Sequence, residues 1–288
     1  VTTFVERNAH EAVANIQSLE LEITGKCQLS CTHCLSESSP QATHGTISVD
    51  DWRAVITDAA ALDIRTIQII GGEPTAHPNW QALAEHALTL GRHVEVYSNL
   101  YKVQEQWWEL FTHPSVTLGT SYYSDVPREH DAITGRRGSY ARTRSNILEA
   151  VKRGVPIRAG IVEVLPGQHV AGAREELLSM GVTRISMDRA RAVGRALPPG
   201  QSPTLDEMCG RCTRGRAAVL PNGNLVGCVL ARDFPAGNVR ESRLAELLGG
   251  KTWAELAARI PLPARSACPP DDSSDCNPAN TTACGPKY

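Results

Sequence analysis

Between residues 19 and 23 the chain reads Leu-Glu-Leu-Glu-Ile, with apolar and polar positions in strict alternation, and the run stops at Thr24-Gly25. A period of two marks a strand. Residues 49–62 carry apolar positions at helical spacing, and the β-rich run Thr-Ile-Gln-Ile-Ile over 66–70 ends at Gly71-Gly72. The same alternation predicts further strands at 94–98, 116–122, 157–164 and 183–187. Helices are predicted over 79–90, 104–111, 139–153 and 170–180, with Ser139 as a helix cap and Gly154 where that helix stops. Strands alternating with helices predict an α/β fold with a parallel sheet. Six such units fall short of the eight that close a barrel, which leaves a partial, TIM-like (β/α)6 barrel or an open sheet. Ligands of these sheets bind beyond the carboxyl ends of the strands, where a group of cysteines and the double glycine fall.

After Met187 the pattern changes. The boundaries expected are an N-terminal extension over 1–17, the partial barrel over 18–190, an Arg/Pro/Gly-rich linker over 191–207, and a small cysteine-rich module over 208–288 with a helix around 244–260. The Pro/Asn/Ser-rich end holds too few apolar residues to pack alone, so a metal or burial against the barrel has to order it. The 288 residues carry 29 basic and 31 acidic side chains, a formal charge of -2, which argues against broad wrapping of nucleic acid. No apolar run reaches the length of a membrane span, and no basic stretch leads into an apolar one at the start. Nine cysteines, an odd number in two separated groups, suit metal ligation in a reducing compartment such as the cytoplasm.

The first group, Cys27-x3-Cys31-x2-Cys34, follows the first strand directly. Thiolates prefer soft metals, and three of them leave one iron of a four-iron cubane open to a ligand. A zinc site with His33 as fourth ligand is the alternative, and buried structural cysteines a third. Gly71 and Gly72 let backbone approach a ligand closely and make positive φ available. Together the cysteine triplet and Gly71-Gly72-Glu73-Pro74 after the second strand resemble the signature of the radical S-adenosylmethionine (radical SAM) family.

That resemblance implies a [4Fe-4S] cluster on Cys27, Cys31 and Cys34, whose open iron is chelated by the amino and carboxylate groups of S-adenosylmethionine. Cleavage then gives methionine and a 5'-deoxyadenosyl radical that abstracts hydrogen. His33 stands where the family frequently has an aromatic residue, as another flat ring near adenine. Gly71, Gly72, Glu73 and Pro74 would meet the methionine end, with Glu73 as a charged acceptor for the ammonium. Ser98 and Asn99, in Tyr97-Ser98-Asn99, are similar to a Thr-Asn segment of the family, and Ser121 is placed like a ribose-contacting serine. Arg158 and Glu163 lie on the strand from which members also approach the cofactor, unless they are solvated or salt-bridged.

In the second group, Cys209-Gly-Arg-Cys212 is separated from Cys228 by the turn Pro221-Asn222-Gly223-Asn224 between β-like flanks. A hairpin there brings Cys228 back beside Cys212 and favours one shared metal centre. The segment resembles the opening of a SPASM (twitch-like) module, which implies at least one auxiliary [4Fe-4S] cluster with Cys268 as closing ligand. The dense cysteine run of a standard SPASM module is missing. Instead Cys-x-Pro recurs at Cys268, Cys276 and Cys284, and the last two either complete a second centre or face the active site. A zinc ribbon is the competing structure.

Tyr122 and Tyr123 suggest an aromatic rim for a substrate, and Asp125, Asp131 and Asp188 are the candidate bases. Arg191 and Arg195 lie in a stretch similar to a Val-Gly-Arg segment of peptide-modifying members and suit a bidentate clamp on a peptide carboxylate, although a solvated linker reads the same way. Trp107-Trp108 reads as packing. The resemblance implies a maturase of a ribosomally made precursor peptide that forms an intramolecular crosslink, C–C and cyclophane-like, with epimerisation, thioether or ether formation and decarboxylation as alternatives. An electron-transfer, structural zinc or RNA-binding protein is the reading from another class. The implied partners are the precursor peptide and a flavodoxin or ferredoxin-type electron donor. With no extra domain ahead of Leu19, leader recognition is expected from the catalytic body or a separate protein, and neither a membrane nor nucleic acid is expected as a partner.

Overall fold

The computed structural model of the chain describes residues 16–262. Cys268, Cys276 and Cys284, and nearly all of the 1–17 extension, lie outside the described residues. Eight strands form one sheet: β1 (Ser18–Glu22), β2 (Thr66–Ile70), β3 (His93–Tyr97), β4 (Val116–Tyr122), β5 (Ile157–Glu163), β6 (Arg184–Arg189), β7 (Arg216–Val219) and β8 (Leu225–Val226). Their order is β6-β5-β4-β3-β2-β1-β7-β8, and every pair is parallel except β7–β8. The helices are α1 (Val49–Ala61), α2 (Trp80–Thr89), α3 (Trp107–Phe111), α4 (Pro127–Thr134), α5 (Ser139–Lys152), α6 (Val170–Ser179), α7 (Leu244–Leu248) and α8 (Lys251–Arg259). None of them is long and apolar enough to cross a membrane.

The alternation in β1 has a meaning that an edge facing water would not give it. Leu19 and Leu21 pack in the main apolar core, yet Glu20 and Glu22 are also buried, at 0% and 2% exposure. Both faces of a parallel sheet are covered. The carboxylates are matched by arginines from late in the chain: Arg216 Nη1 lies 3.0 Å from Glu20 Oε1, and Arg232 Nη1 lies 3.0 Å from Glu22 Oε2. The C-terminal segment is therefore built onto the barrel sheet, with β7 pairing alongside β1 from Ser18↔Arg216 to Leu21↔Val219.

Four details differ from the sequence expectations. Ser139 does not cap α5: Gly138 is the N-cap, at φ +82°, and the Asp131 carboxylate accepts from Gly138 N, Ser139 Oγ and Tyr140 N at 2.6 to 2.9 Å. The helix expected over 244–260 is broken at Gly249-Gly250 into α7 and α8. Helix α4 was not anticipated, because it is short and polar; Pro127 at its start and Gly135 at φ +67° after it are its only local marks. Residues 191–207 are not a loose linker, since Arg191, Val193 and Leu205 are buried. Trp107 and Trp108 do pack, Trp107 edge-on to Trp80 at 5.4 Å and Trp108 edge-on to Phe111 at 5.7 Å.

Candidate active site at the mouth of the sheet

The chain between β1 and α1 folds back on itself and carries the first three thiols. Cys27 N donates to Ser39 O at 3.0 Å, and a tight turn joins Cys34 N to Cys31 O at 3.3 Å. The loop after β2 nests against it through Gly72 N to Thr24 O (2.7 Å) and Glu73 N to Lys26 O (2.9 Å). A Cβ on Gly71 would meet Thr24 O at 2.6 Å, and one on Gly72 would meet Lys26 O at 2.6 Å and Ser38 Oγ at 2.7 Å. The glycines thus serve close approach between two loops, and neither uses the positive φ that glycine permits.

A third segment closes over the same loop. Arg195 donates from its backbone N to Cys34 O at 3.1 Å, from Nε to Cys31 O at 2.8 Å and from Nη2 to Ser38 O at 2.7 Å. Gly194, at φ +56°, lies so near that a Cβ there would sit 2.5 Å from Cys34 O. In place of the expected carboxylate clamp, the guanidinium is engaged with the thiol-bearing loop.

Glu73 also departs from its expected place. Its Oε1 accepts from Thr75 N, Thr75 Oγ1 and Ser98 Oγ at 2.7 to 3.1 Å, and its Oε2 accepts from Asn99 N at 2.9 Å. Burial nevertheless raises its pKa. This carboxylate bolts the loop after β2, including the turn begun by Pro74, to the loop after β3, and it is not in the cavity wall. Ser98 is consumed in the same bolt. Asn99 does reach the wall, with Nδ2 3.5 Å from Cys27 Sγ.

A cavity opens where these loops meet. Glu22, Ser121, Val162 and Arg189, from β1, β4, β5 and β6, all line it, so the sheet curls around it. Cys27, Cys31, Cys34, Gly71 and Gly72 form one side. Beside Cys31, Tyr123 is set between His33 and His130, ring centroids 5.1 and 5.3 Å away. Burial, then the nearby Arg195, lowers His33 to about 4, and burial likewise lowers His130 to about 4, so both rings are neutral. Each has a buried Nδ1 without a hydrogen-bond partner. His130 lies on the unanticipated α4, and only its closeness to Tyr123 in sequence signalled it.

Several candidates are elsewhere. Tyr122 is fully buried behind the sheet and donates to Glu176 Oε2 at 2.6 Å, whereas its neighbour Tyr123 faces the cavity. Arg158 sits near the start of β5, bidentate to Glu95 at 2.6 and 2.7 Å, and Glu163 is exposed at its end; neither lines the cavity. Asp131 is the α5 cap described above. Asp125 lies 3.3 Å from His169 Nδ1, outside the cavity wall. Asp188 is buried and raised by burial despite its Arg191 partner at 3.0 Å, and Arg191, which it holds, does line the cavity.

The second set of thiols assembles beside this space. The β7–β8 hairpin, with Ala218↔Val226 in register, returns Cys228 to Cys212. Contact with the Cys209 and Cys228 thiols, together with burial, pushes Cys212 well above the usual thiol range. Val229 and Leu230, which follow Cys228, line the first cavity, and Val229 N donates to Glu20 Oε2 at 3.0 Å. Charge pairs on β1 thus fix one thiol group relative to the other.

The residues fit iron–sulfur clusters. Burial raises the Cys31 thiol to about 12 and the Cys27 thiol further. A metal bound there would supply the positive charge that favours the thiolates, and three thiols of one loop lining a cavity are a donor set that soft iron takes. The glycine edge, Asn99, Ser121 and the unpartnered His33 Nδ1 line the same wall and offer polar groups of the kind S-adenosylmethionine would need there.

Comparison with known proteins agrees with this geometry. A model described as "Radical SAM superfamily" matches residues 21–178, and one described as "Iron-sulfur cluster-binding domain" matches residues 201–277. The chain is 30% identical over 142 residues to the antilisterial bacteriocin subtilosin biosynthesis protein AlbA of Bacillus subtilis, covering 49% of this chain and 32% of the relative. It is 24% identical over 219 residues to the PqqA peptide cyclase of Streptomyces rochei, covering 74% of this chain and 54% of that one. It therefore spans between a third and a little over half of these relatives. Streptococcus suis SuiB, in a crystal structure bound to its precursor peptide SuiA, shares the fold with a TM-score of 0.72 at 14% identity, covering 86% of this chain and 68% of that one.

Proposed function

We propose that this chain, which belongs to the radical SAM superfamily, is a peptide maturase that takes hydrogen from a residue of a ribosomally made precursor and closes an intramolecular C–C crosslink. When bound, the cluster and S-adenosylmethionine supply one-electron cleavage chemistry that ends in abstraction of a hydrogen atom. Cys27, Cys31 and Cys34 hold three irons, and the glycine edge with Asn99 and Ser121 orients the cofactor. Tyr123, His33 and His130 exclude water from the reacting end. Arg191, held by Asp188 and by the Glu207 carbonyl, gives the cavity wall positive charge beside Arg189 and Arg195, which suits a peptide rich in carbonyl and carboxylate oxygens. Closing the bond removes two hydrogens from the peptide, one as an atom and one as a proton plus an electron.

The observation that carries this reading is the shared wall: Val229 and Leu230, next to Cys228, border the same cavity as the first three thiols. A second metal centre set against the substrate space suits an oxidative product, and the peptide-modifying relatives support the substrate class. Anaerobically reconstituted protein, S-adenosylmethionine, a reductant and a short peptide encoded beside this chain should give a product two hydrogens lighter by mass spectrometry, with a new link in its fragment ions. An unchanged mass with deuterium taken up from solvent would replace crosslinking by epimerisation.

A further inference from the structure

Beside the thiol loop lies a group of cations that the cavity does not use. The ring of Tyr101, in the loop after β3, is covered by Arg136 at 4.8 Å and by Arg142 at 5.0 Å from its centroid. Arg136 also donates from Nε to Tyr101 Oη at 2.9 Å and from Nη1 to Gln28 O at 3.0 Å, one residue from Cys27. Asn99 Oδ1 joins the two sides by accepting from Gln28 Nε2 and Tyr101 N, while its Nδ2 touches Cys27 Sγ. Lys102 adjoins Tyr101 and Arg137 adjoins Arg136, and all four cations are exposed.

Their charge is not balanced locally. Stacking on a ring orients a guanidinium without neutralising it, and among the described residues no carboxylate is within ion-pair distance of any of the four. On a chain whose formal charge is -2, this is a concentrated positive surface. It sits one hydrogen bond from the loop residue next to a cluster thiol, and the proposed chemistry needs an electron from outside the protein.

We infer that Lys102, Arg136, Arg137 and Arg142 form the docking surface for an acidic one-electron carrier protein that reduces the cluster on Cys27, Cys31 and Cys34. One electron leaves the carrier and one enters the cluster, with no atoms exchanged. The inference rests on the cluster reading of the three thiols and not on the peptide product. Complementary charge speeds encounter and is weakened by salt.

The test uses the reconstituted full chain and a triple variant, Lys102→Glu, Arg137→Glu and Arg142→Glu, which keeps Arg136 and its bond to Gln28. Binding of oxidised flavodoxin is measured by calorimetry at low and high salt, and peptide-free cleavage of S-adenosylmethionine is driven by reduced flavodoxin or by dithionite. Flavodoxin affinity and the flavodoxin-driven rate should each fall at least about tenfold in the variant at low salt, with the dithionite-driven rate unchanged. Equal flavodoxin binding by both proteins overturns the inference. So does a variant whose flavodoxin-driven rate is intact while its affinity for the precursor peptide falls, because the surface would then serve the peptide. If dithionite drives no cleavage in the unaltered chain, the cluster reading fails, and salt-dependent flavodoxin binding still decides the surface.

Discussion

Replacing Arg195 by alanine should disorder the thiol loop before it affects any substrate. The guanidinium gives two charge-assisted hydrogen bonds, to Cys31 O and Ser38 O at 2.8 and 2.7 Å. Each such bond is worth about 1.5–3 kcal/mol, and a buried carbonyl left without a donor is costly. Cys31 O keeps its bond from Cys34 N, so the two losses do not add in full, and about 2–4 kcal/mol is a fair sum. That shifts the balance between ordered and open loop by roughly a hundredfold. Arg195→Ala should therefore lower iron and sulfide per chain after anaerobic reconstitution, broaden the electron paramagnetic resonance signal of the reduced cluster and lower the melting temperature of the metal-free protein. Arg195→Lys should recover only part, because an ammonium cannot fork to both carbonyls. Full iron content, an unaltered signal and unaltered melting, with only peptide affinity lost, would refute the brace and restore the carboxylate clamp read from the sequence.

Asp131→Asn should cost about 0.5–2 kcal/mol in urea denaturation at pH 7, as loss of a charged cap does. Burial opposes it, but hydrogen bonds from Tyr140 N, Gly138 N and Ser139 hold this carboxyl below its usual range; its contribution is present above the unfolded value and lost as pH falls through the folded one. The gap between Asp131→Asn and the unaltered protein should then narrow on acidification, and a gap that stays constant would contradict the cap. Arg216→Met alone strands the buried Glu20 and should destabilise by about 3–5 kcal/mol, while adding Glu20→Leu should recover most of the loss; a double variant as unstable as the single would argue against a simple pair. Cys212→Ser should remove roughly four irons per chain and leave cleavage of S-adenosylmethionine in place, whereas unchanged iron would deny the auxiliary centre.

The strands were legible because β1 to β6 carry their own local patterns, and the place of Cys27, Cys31 and Cys34 at the cavity because they follow the carboxyl end of β1 directly. What escaped sequence reading was non-local. That Glu20 and Glu22 face the sheet's interior follows only from Arg216 and Arg232, some two hundred residues later. Glu73 has the chemistry of a ligand-binding carboxylate, but four donors from two loops consume it. Arg158, a candidate either for the cofactor or for a salt bridge, has its partner Glu95 on another strand, and nothing local in the sequence joins the two. Tyr122 and Tyr123 are indistinguishable as letters, and the two-residue period of the strand sends one to the helices and the other to the cavity.

Reduced, anaerobically reconstituted protein mixed with S-adenosylmethionine is the most direct trial of a cluster with an open iron on Cys27, Cys31 and Cys34. The paramagnetic signal of that cluster should shift on addition of the cofactor, 5'-deoxyadenosine and methionine should appear in equal amounts, and replacing any one of the three cysteines by alanine should abolish both effects. A signal indifferent to the cofactor, or cleavage that survives loss of one of these thiols, would contradict the assignment.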